Sequence, residues 1–204
     1  MLRGFMDIDI TQARVDIETT DDLLEKALKL SGLVATLFAE AGWPLVVVGG
    51  SAVEFYTEGS YMSGDIDFCR RRIAAIPARV AQDVMSRLGG VGGPRSWKVC
   101  GLFVDMLGFL ENEAKTRLRE IQTPYGAVSL VPLELALVER AFAAVYPNRR
   151  DPEYEVAKKL AARALANPAD CDWDEVLRIA DLPAWKIKDA VEALKEEVEN
   201  ALSG

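Results

Sequence analysis

Hydrophobic positions in the first two-thirds of the chain follow two periods, one typical of helices and one typical of strands. An apolar stripe from Leu23 to Phe38 has helical spacing, and the hydroxyl and acidic residues at 19–22 favour a helix start just before it. Further along, the pattern predicts strands at residues 45–48, 65–69 and 127–131 and helices at 52–56 and 73–88. It predicts a bent strand or a hairpin at residues 97–109, with Gly101 at the bend.

From Pro132 onward the pattern is helical throughout. Apolar stripes predict helices at residues 133–146, 152–166, 172–180 and 184–202, and prolines separate them. We therefore expect a mixed α/β (α+β) fold in which a small mixed sheet is flanked by helices. This sheet domain would span residues 1–131, and a helical C-terminal domain would span residues 132–204.

A glycine turn follows the first predicted strand. Gly49 and Gly50 let the backbone approach a ligand closely, and the start of the next helix favours negative charge, as in many phosphate sites. Ser51 adds a hydroxyl at the same point. The turn predicts a triphosphate site, although a tight strand-to-helix connection without any ligand has the same sequence.

Two carboxylates follow on the next predicted strand. Asp65 and Asp67 are two residues apart, so they project from the same face of a strand. Carboxylates held a few ångströms apart repel each other unless a cation lies between them. Close to a phosphate-sized turn, Mg²⁺ is the cation that these ligands favour.

Asp105 is the third candidate, in an apolar strand where an unpaired carboxylate would be unfavourable. It could cap a turn or pair with Lys98 or Arg95. If its strand adjoins that of Asp65 and Asp67, three carboxylates converge, and two metal ions could bind the attacking and leaving oxygens of a phosphoryl transfer. The chain has no histidine, so acid–base chemistry would depend on groups such as Asp105.

The composition narrows the classes of function. The net charge of −8 argues against a broad nucleic-acid-binding surface, although Arg70 and the two arginines after it could steer a triphosphate or an RNA acceptor. Such a run is more often a solvated strand end. Acidic residues close to the N-terminus predict that the chain has no signal peptide, and no apolar window approaches the roughly 20 residues of a membrane span. Together with three scattered cysteines, these features predict a cytoplasmic protein.

The motifs Val48-Gly49-Gly50-Ser51 and Asp65-Ile66-Asp67-Phe68, followed by Asp105, resemble the nucleotidyltransferase superfamily that includes DNA polymerase beta. The resemblance covers roughly residues 30–131. Residues 130–136 and 148–151 are also similar to stand-alone bacterial and archaeal nucleotidyltransferases, including abortive-infection-type toxins.

This resemblance implies Mg²⁺ or Mn²⁺ on Asp65 and Asp67, with Asp105 as the third ligand, and ATP or another nucleoside triphosphate on Gly49, Gly50 and Ser51. Arg70, from the arginine run, is a further candidate for binding the triphosphate. It implies transfer of a nucleoside monophosphate to a hydroxyl of RNA, protein or a small molecule. The alternative is a non-catalytic module of the same fold that senses nucleotides or binds a protein, for example in a toxin–antitoxin-like pair.

Overall fold

The computed structural model describes residues 8–111 and 117–203. These residues form two compact units. The first comprises residues 8–47, 63–110 and 120–129, and the second comprises residues 48–62, 111, 117–119 and 130–203. The predicted domain boundary near residue 131 stays a prediction, and the first seven residues, on which the expectation of no signal peptide rests, lie outside the described part.

Helices and strands alternate up to residue 130, and only helices follow. In chain order the elements are α1 (Ile10–Thr19), α2 (Leu23–Glu40), β1 (Leu45–Val47), α3 (Gly49–Tyr56), β2 (Asp65–Arg70), α4 (Ala78–Arg87), β3 (Val91–Gly92), β4 (Ser96–Val99), β5 (Leu102–Phe109), β6 (Arg119–Thr123), β7 (Gly126–Leu130), α5 (Leu133–Val145), α6 (Asp151–Ala166), α7 (Trp173–Ala180) and α8 (Lys188–Ser203). The predicted mixed α/β fold is confirmed.

The seven strands form one mixed sheet in the order β3-β4-β5-β2-β1-β7-β6, which lies in the first unit apart from the end residues Arg119 and Leu130. β2 pairs parallel with β5 and antiparallel with β1, and β4 pairs antiparallel with β5. The strands with the predicted carboxylates, β2 and β5, are therefore neighbours near the middle of the sheet.

The first two helices begin where side chains can cap them. Asp9 caps α1 by accepting from the Gln12 amide, and Asp22 caps α2 by accepting from the Glu25 amide. On α2, Leu30, Leu33 and Phe38 are fully buried, which agrees with the predicted apolar stripe. This packing supplies the core on which the sheet rests.

The second unit is helical. α5 contacts α6, α7 and α3, and the buried small residues Ala157, Ala161 and Ala164 on α6 allow close packing. The Tyr56 hydroxyl at the end of α3 donates a 2.7 Å hydrogen bond to the Val131 carbonyl. No helix within residues 8–111 and 117–203 has the length and apolar character needed to cross a bilayer.

Five local predictions were wrong or incomplete, and one of them is the short strand β3, where a loop was expected. The helix predicted from residue 73 begins at Ala78, because Pro77 has an extended backbone and cannot continue a helix from the preceding residues. α8 begins at Lys188 rather than at residue 184, after Lys186 takes a positive φ of 52°. α1 and β6 were not predicted, since each is largely polar and only partly buried.

Candidate active site

Three predicted carboxylates come together on one face of the sheet. Asp65 and Asp67 lie on β2, Asp105 lies on β5, and Asp67 is directly opposite Asp105 in the parallel register. One carboxylate oxygen from each residue lies within 4.8 Å of the others. All three side chains are half-buried. We call Asp65, Asp67 and Asp105 the acidic trio.

Alternation along the two strands explains why only these side chains converge. On β2, Ile66 and Phe68 point into the core, and on β5, Val104 and Met106 do the same. The residues between them must project from the opposite face, since the side-chain period of a strand is two. The parallel register then aligns the pair on β2 with Asp105.

Asp105 has a buried carboxylate oxygen without a hydrogen-bond donor among the described residues. Its Oδ1 atom is buried, and nothing within residues 8–111 and 117–203 donates a hydrogen bond to it. The pairings with Lys98 or Arg95 that the sequence left open do not form in the described chain. Because a buried carboxylate oxygen without a donor is unfavourable, this atom fits a divalent cation held by three carboxylates.

Asp65 is oriented by a residue of the loop that precedes β2. The Ser63 hydroxyl donates a 3.1 Å hydrogen bond to one Asp65 carboxylate oxygen. This contact fixes the carboxylate at the first residue of β2 and leaves its second oxygen for another ligand. The preceding loop therefore contributes to the position of the acidic trio.

Two further residues share this face of the sheet. Phe103 is paired with Asp65 on one side and with Lys98 on the other, so the three form a row across β4, β5 and β2. The Lys98 ammonium lies 6.0 Å from the centre of the Phe103 ring, which is 50% exposed. Phe103 was not among the predicted site residues; the available signal was its position two residues before Asp105 on the same strand.

The predicted glycine turn forms the start of α3. Val48 is extended, and Gly49 has a φ of +59°, a left-handed conformation that glycine adopts without strain. Ser51 is buried, and its hydroxyl donates a 3.1 Å hydrogen bond to the Val48 carbonyl. The assignment of Gly49, Gly50 and Ser51 to a triphosphate stays a prediction.

Arg70 ends β2 beyond the acidic trio. Its guanidinium donates to the Arg72 carbonyl at 3.4 Å and to the Ile73 carbonyl at 3.3 Å. It also lines a cavity together with Trp97 and Met106, which alternate with the residues on the face of the acidic trio. Its assignment to the nucleotide likewise stays a prediction.

Comparison with family models and with curated proteins finds no match. Among solved structures, an antigenic nucleotidyltransferase-like protein from Paracoccidioides brasiliensis is similar, with a TM-score of 0.51, 12% identity, and coverage of 70% of this chain and 77% of that one. This likeness shows that the chain has a nucleotidyltransferase-like fold.

Two structures of the antibiotic-resistance factor ANT(2'')-Ia are also similar. The solution structure has a TM-score of 0.44 and 14% identity, and covers 96% of this chain and 95% of that one. The crystal structure with adenylyl-2''-tobramycin has a TM-score of 0.48 and 12% identity, and covers 86% of this chain and 98% of that one. The narrower resemblance to abortive-infection-type enzymes stays a prediction.

Proposed function

We propose that this protein transfers a nucleoside monophosphate from a nucleoside triphosphate to a hydroxyl acceptor, in a reaction that depends on a divalent metal. The observation that carries the proposal is the acidic trio, with the buried and unpartnered Asp105 Oδ1, on a nucleotidyltransferase-like fold. Three carboxylate oxygens within 4.8 Å form a donor set that suits Mg²⁺ or Mn²⁺.

Asp65, Asp67 and Asp105 would hold the metal. When bound, the metal would neutralise negative charge on the phosphate oxygens and lower the pKa of a coordinated hydroxyl. Among the three, Asp105 lies on a different strand from the other two, so it is our candidate for the group that contacts the acceptor hydroxyl. Asp65, already oriented by Ser63, would remain a ligand throughout.

The proposed reaction is an in-line displacement at the α-phosphorus. The acceptor oxygen forms a bond to this phosphorus, and Asp105 accepts the hydroxyl proton. The bond between the α-phosphorus and the bridging oxygen breaks, and pyrophosphate leaves with the electron pair. Gly49, Gly50 and Ser51 are our candidates for binding the triphosphate, supported by the positive φ of Gly49 at the start of α3.

Strand order supports a site for the acceptor. In the sheet, β5 and β4 lie on one side of β2, and Phe103 and Lys98 share the face of the acidic trio there. We therefore assign Phe103 and Lys98 to the acceptor, because an aromatic ring and an ammonium favour a planar or anionic group.

The experiment uses ATP, CTP, GTP and UTP labelled at the α- or the γ-phosphate, with Mg²⁺ and total cell extract as the source of acceptors. The proposal predicts label transfer from the α-labelled nucleotide only. Asp105→Asn should abolish transfer and leave nucleotide binding largely intact, whereas Asp83→Asn, an exposed acid on α4, should behave like the wild type.

The other outcomes distinguish the alternatives. Binding of a nucleotide without transfer of either label would favour the non-catalytic sensing module. Transfer from the γ-labelled nucleotide would indicate a kinase or a hydrolase instead of a nucleotidyltransferase. Equal activity of Asp105→Asn and the wild type would contradict the role given to Asp105.

A further inference from the structure

A cavity of about 790 Å³ lies in the first unit, between β4, β5, α4 and the segment that follows β2. This volume falls in the range of about 300–1,000 Å³ that is typical of small-molecule sites. Its principal lining side chains are Arg70, Ile76, Gln82, Arg95, Trp97 and Met106. The cavity therefore combines apolar walls, one amide and two guanidinium groups.

This cavity is separate from the acidic trio. Met106 is paired with Phe68, and both side chains are buried on the core side of the sheet. Asp105 and Asp67 precede them by one residue each and project from the other face. A ligand in the cavity would thus contact the same two strands from the opposite face.

The charge of the cavity is unusual for so acidic a chain. Within the described residues, no Asp or Glu lines it, and neither Arg70 nor Arg95 forms an ion pair. By contrast, eight other arginines in the described ranges pair with carboxylates. Two unneutralised guanidinium groups at one concave surface give it a local positive potential in a protein of net charge −8.

Arg70 is held in place at this surface. Hydrogen bonds to the Arg72 and Ile73 carbonyls use two of the five guanidinium hydrogens, so the group is oriented by backbone and keeps further donors. Pre-oriented arginine suits phosphate or carboxylate recognition, because less side-chain entropy is lost on binding. Trp97, almost fully buried behind the cavity, supplies a flat and rigid wall.

An apolar side chain is exposed next to Arg70. Ile73, whose carbonyl accepts a hydrogen bond from the Arg70 guanidinium, is 79% exposed. Leu107, which lines the cavity, is also exposed. Apolar surface at the rim of a positive concavity matches a ligand that has both an apolar body and a negative group.

We propose that this cavity is a second binding site, for a small aromatic anion that carries a phosphate or carboxylate group. The ring would lie against the wall formed by Trp97 and Met106, and the anion would contact Arg70 and Arg95. Since β2 and β5 carry side chains of the cavity on one face and the acidic trio on the other, such a ligand would influence the acidic trio through these two strands. The inference does not depend on nucleotidyl transfer.

The experiment measures binding of 1-anilinonaphthalene-8-sulfonate to the folded full chain by fluorescence, followed by competition. We expect one saturable site from which AMP displaces the dye and uncharged adenosine does not. Arg95→Gln and Arg70→Gln should each weaken dye binding about tenfold, the usual effect of losing one charge-assisted hydrogen bond. Arg87→Gln, an exposed arginine at the end of α4, is the matched control.

A second variant tests the cavity rather than its charge. Ala78→Phe adds a large side chain to an exposed lining position at the start of α4, so it should block the dye without burying a clash. Dye binding that survives Ala78→Phe, or that is equal in Arg95→Gln and Arg87→Gln, would overturn the proposal. Equal competition by AMP and adenosine would also overturn it.

The two proposals can fail separately. The triple variant Asp65→Asn, Asp67→Asn, Asp105→Asn removes the acidic trio and should retain the dye site with unchanged affinity. Loss of dye binding in this variant would mean that the dye occupies the face of the acidic trio, and the second site would be rejected. Absence of nucleotidyl transfer in the wild type leaves the expected result of the dye experiment unaltered.

Discussion

Asp67 and Asp105 lie directly opposite each other on neighbouring parallel strands, with carboxylate oxygens within 4.8 Å. The backbone register holds the two aspartates opposite each other. The residue that follows each of them, Phe68 on β2 and Met106 on β5, is packed in the core and fixes this register. The two negative charges repel each other, and the fold must supply the free energy that keeps them together. Such a pair is favourable once a cation binds.

Asp105→Asn should stabilise the protein when no divalent metal is present. The substitution removes one of three clustered charges and replaces an unpartnered buried oxygen by an amide that can also donate. We expect a gain of about 1 kcal/mol, or a rise in Tm of about 2–4 °C. Thermal melting in EDTA measures it, with Asp83→Asn as the control. A lower Tm for Asp105→Asn would contradict the repulsion.

Gly32→Ala should destabilise the first unit. A Cβ atom at this position on α2 would overlap the Thr123 hydroxyl, which is itself held by a 2.8 Å hydrogen bond to the Gly126 carbonyl. We expect a loss of about 1–3 kcal/mol from overpacking, measured by urea unfolding. Gly64→Ala is the matched control, since its Cβ would meet nothing within 4 Å. Equal stability of both variants would show that α2 can shift away.

Acid should remove part of the stability that Asp16 provides. The Tyr125 hydroxyl donates a 2.6 Å hydrogen bond to Asp16, and this bond, followed by the contact with Lys29, lowers the pKa of the Asp16 carboxyl below its usual 3.8. A lowered folded-state pKa gives stability that is present above about pH 4 and is lost as the pH falls through the folded-state value. Tyr125→Phe should therefore destabilise the protein at pH 7 more than at pH 2.5.

At alkaline pH, the stability that the hydrogen bond between Tyr125 and Asp16 provides should fall as the pH rises. Desolvation, followed by the bond to Asp16, raises the pKa of Tyr125 from 10.0 to about 12. Its contribution is complete below pH 10 and is lost as the pH rises through about 12. The free energy of unfolding in urea, measured from acidic to alkaline pH, tests both the loss at low pH and the loss at high pH. Tyr146→Phe, at an exposed tyrosine, is the control; a pH-independent difference between Tyr125→Phe and the wild type would contradict the linkage.

Cys171 should be unreactive in the folded protein. Burial, followed by the nearby charge of Glu134, raises the pKa of its thiol to about 12, so almost no thiolate is present at pH 8. Burial also raises the pKa of Cys100. We expect Ellman's reagent to react slowly with both thiols in buffer and rapidly after unfolding in urea. Rapid reaction of Cys100 in the Cys171→Ser variant, or of Cys171 in the Cys100→Ser variant, would contradict this expectation.

Much of the acidic trio could be predicted from the sequence, because its geometry is local. A period of two puts Asp65 and Asp67 on one face, and the apolar residues around Asp105 indicate a buried strand. That β5 lies beside β2 is a matter of sheet order, for which the resemblance to a family was needed. The start of α2 close to residue 22 could also be predicted, although its cap is Asp22 and not the expected hydroxyl of Thr19 or Thr20.

Other features depend on contacts far apart in the chain. The cavity behind the sheet combines side chains from the end of β2, from α4 and from the turn between β3 and β4, and no spacing in the sequence indicates that they meet. Phe103 looks like an ordinary core residue until the register shows that it lies on the outer face. β6 was missed because a polar, half-exposed strand has little apolar pattern.

Titration with Mn²⁺, followed by the electron paramagnetic resonance signal of the free ion, tests the acidic trio most directly. We expect the wild type and Asp83→Asn to bind about one to two Mn²⁺ ions, with an affinity that a nucleoside triphosphate increases. Asp65→Asn, Asp67→Asn and Asp105→Asn should each weaken binding at least about tenfold. Equal Mn²⁺ affinity in the wild type and all three variants would contradict a metal site at these carboxylates.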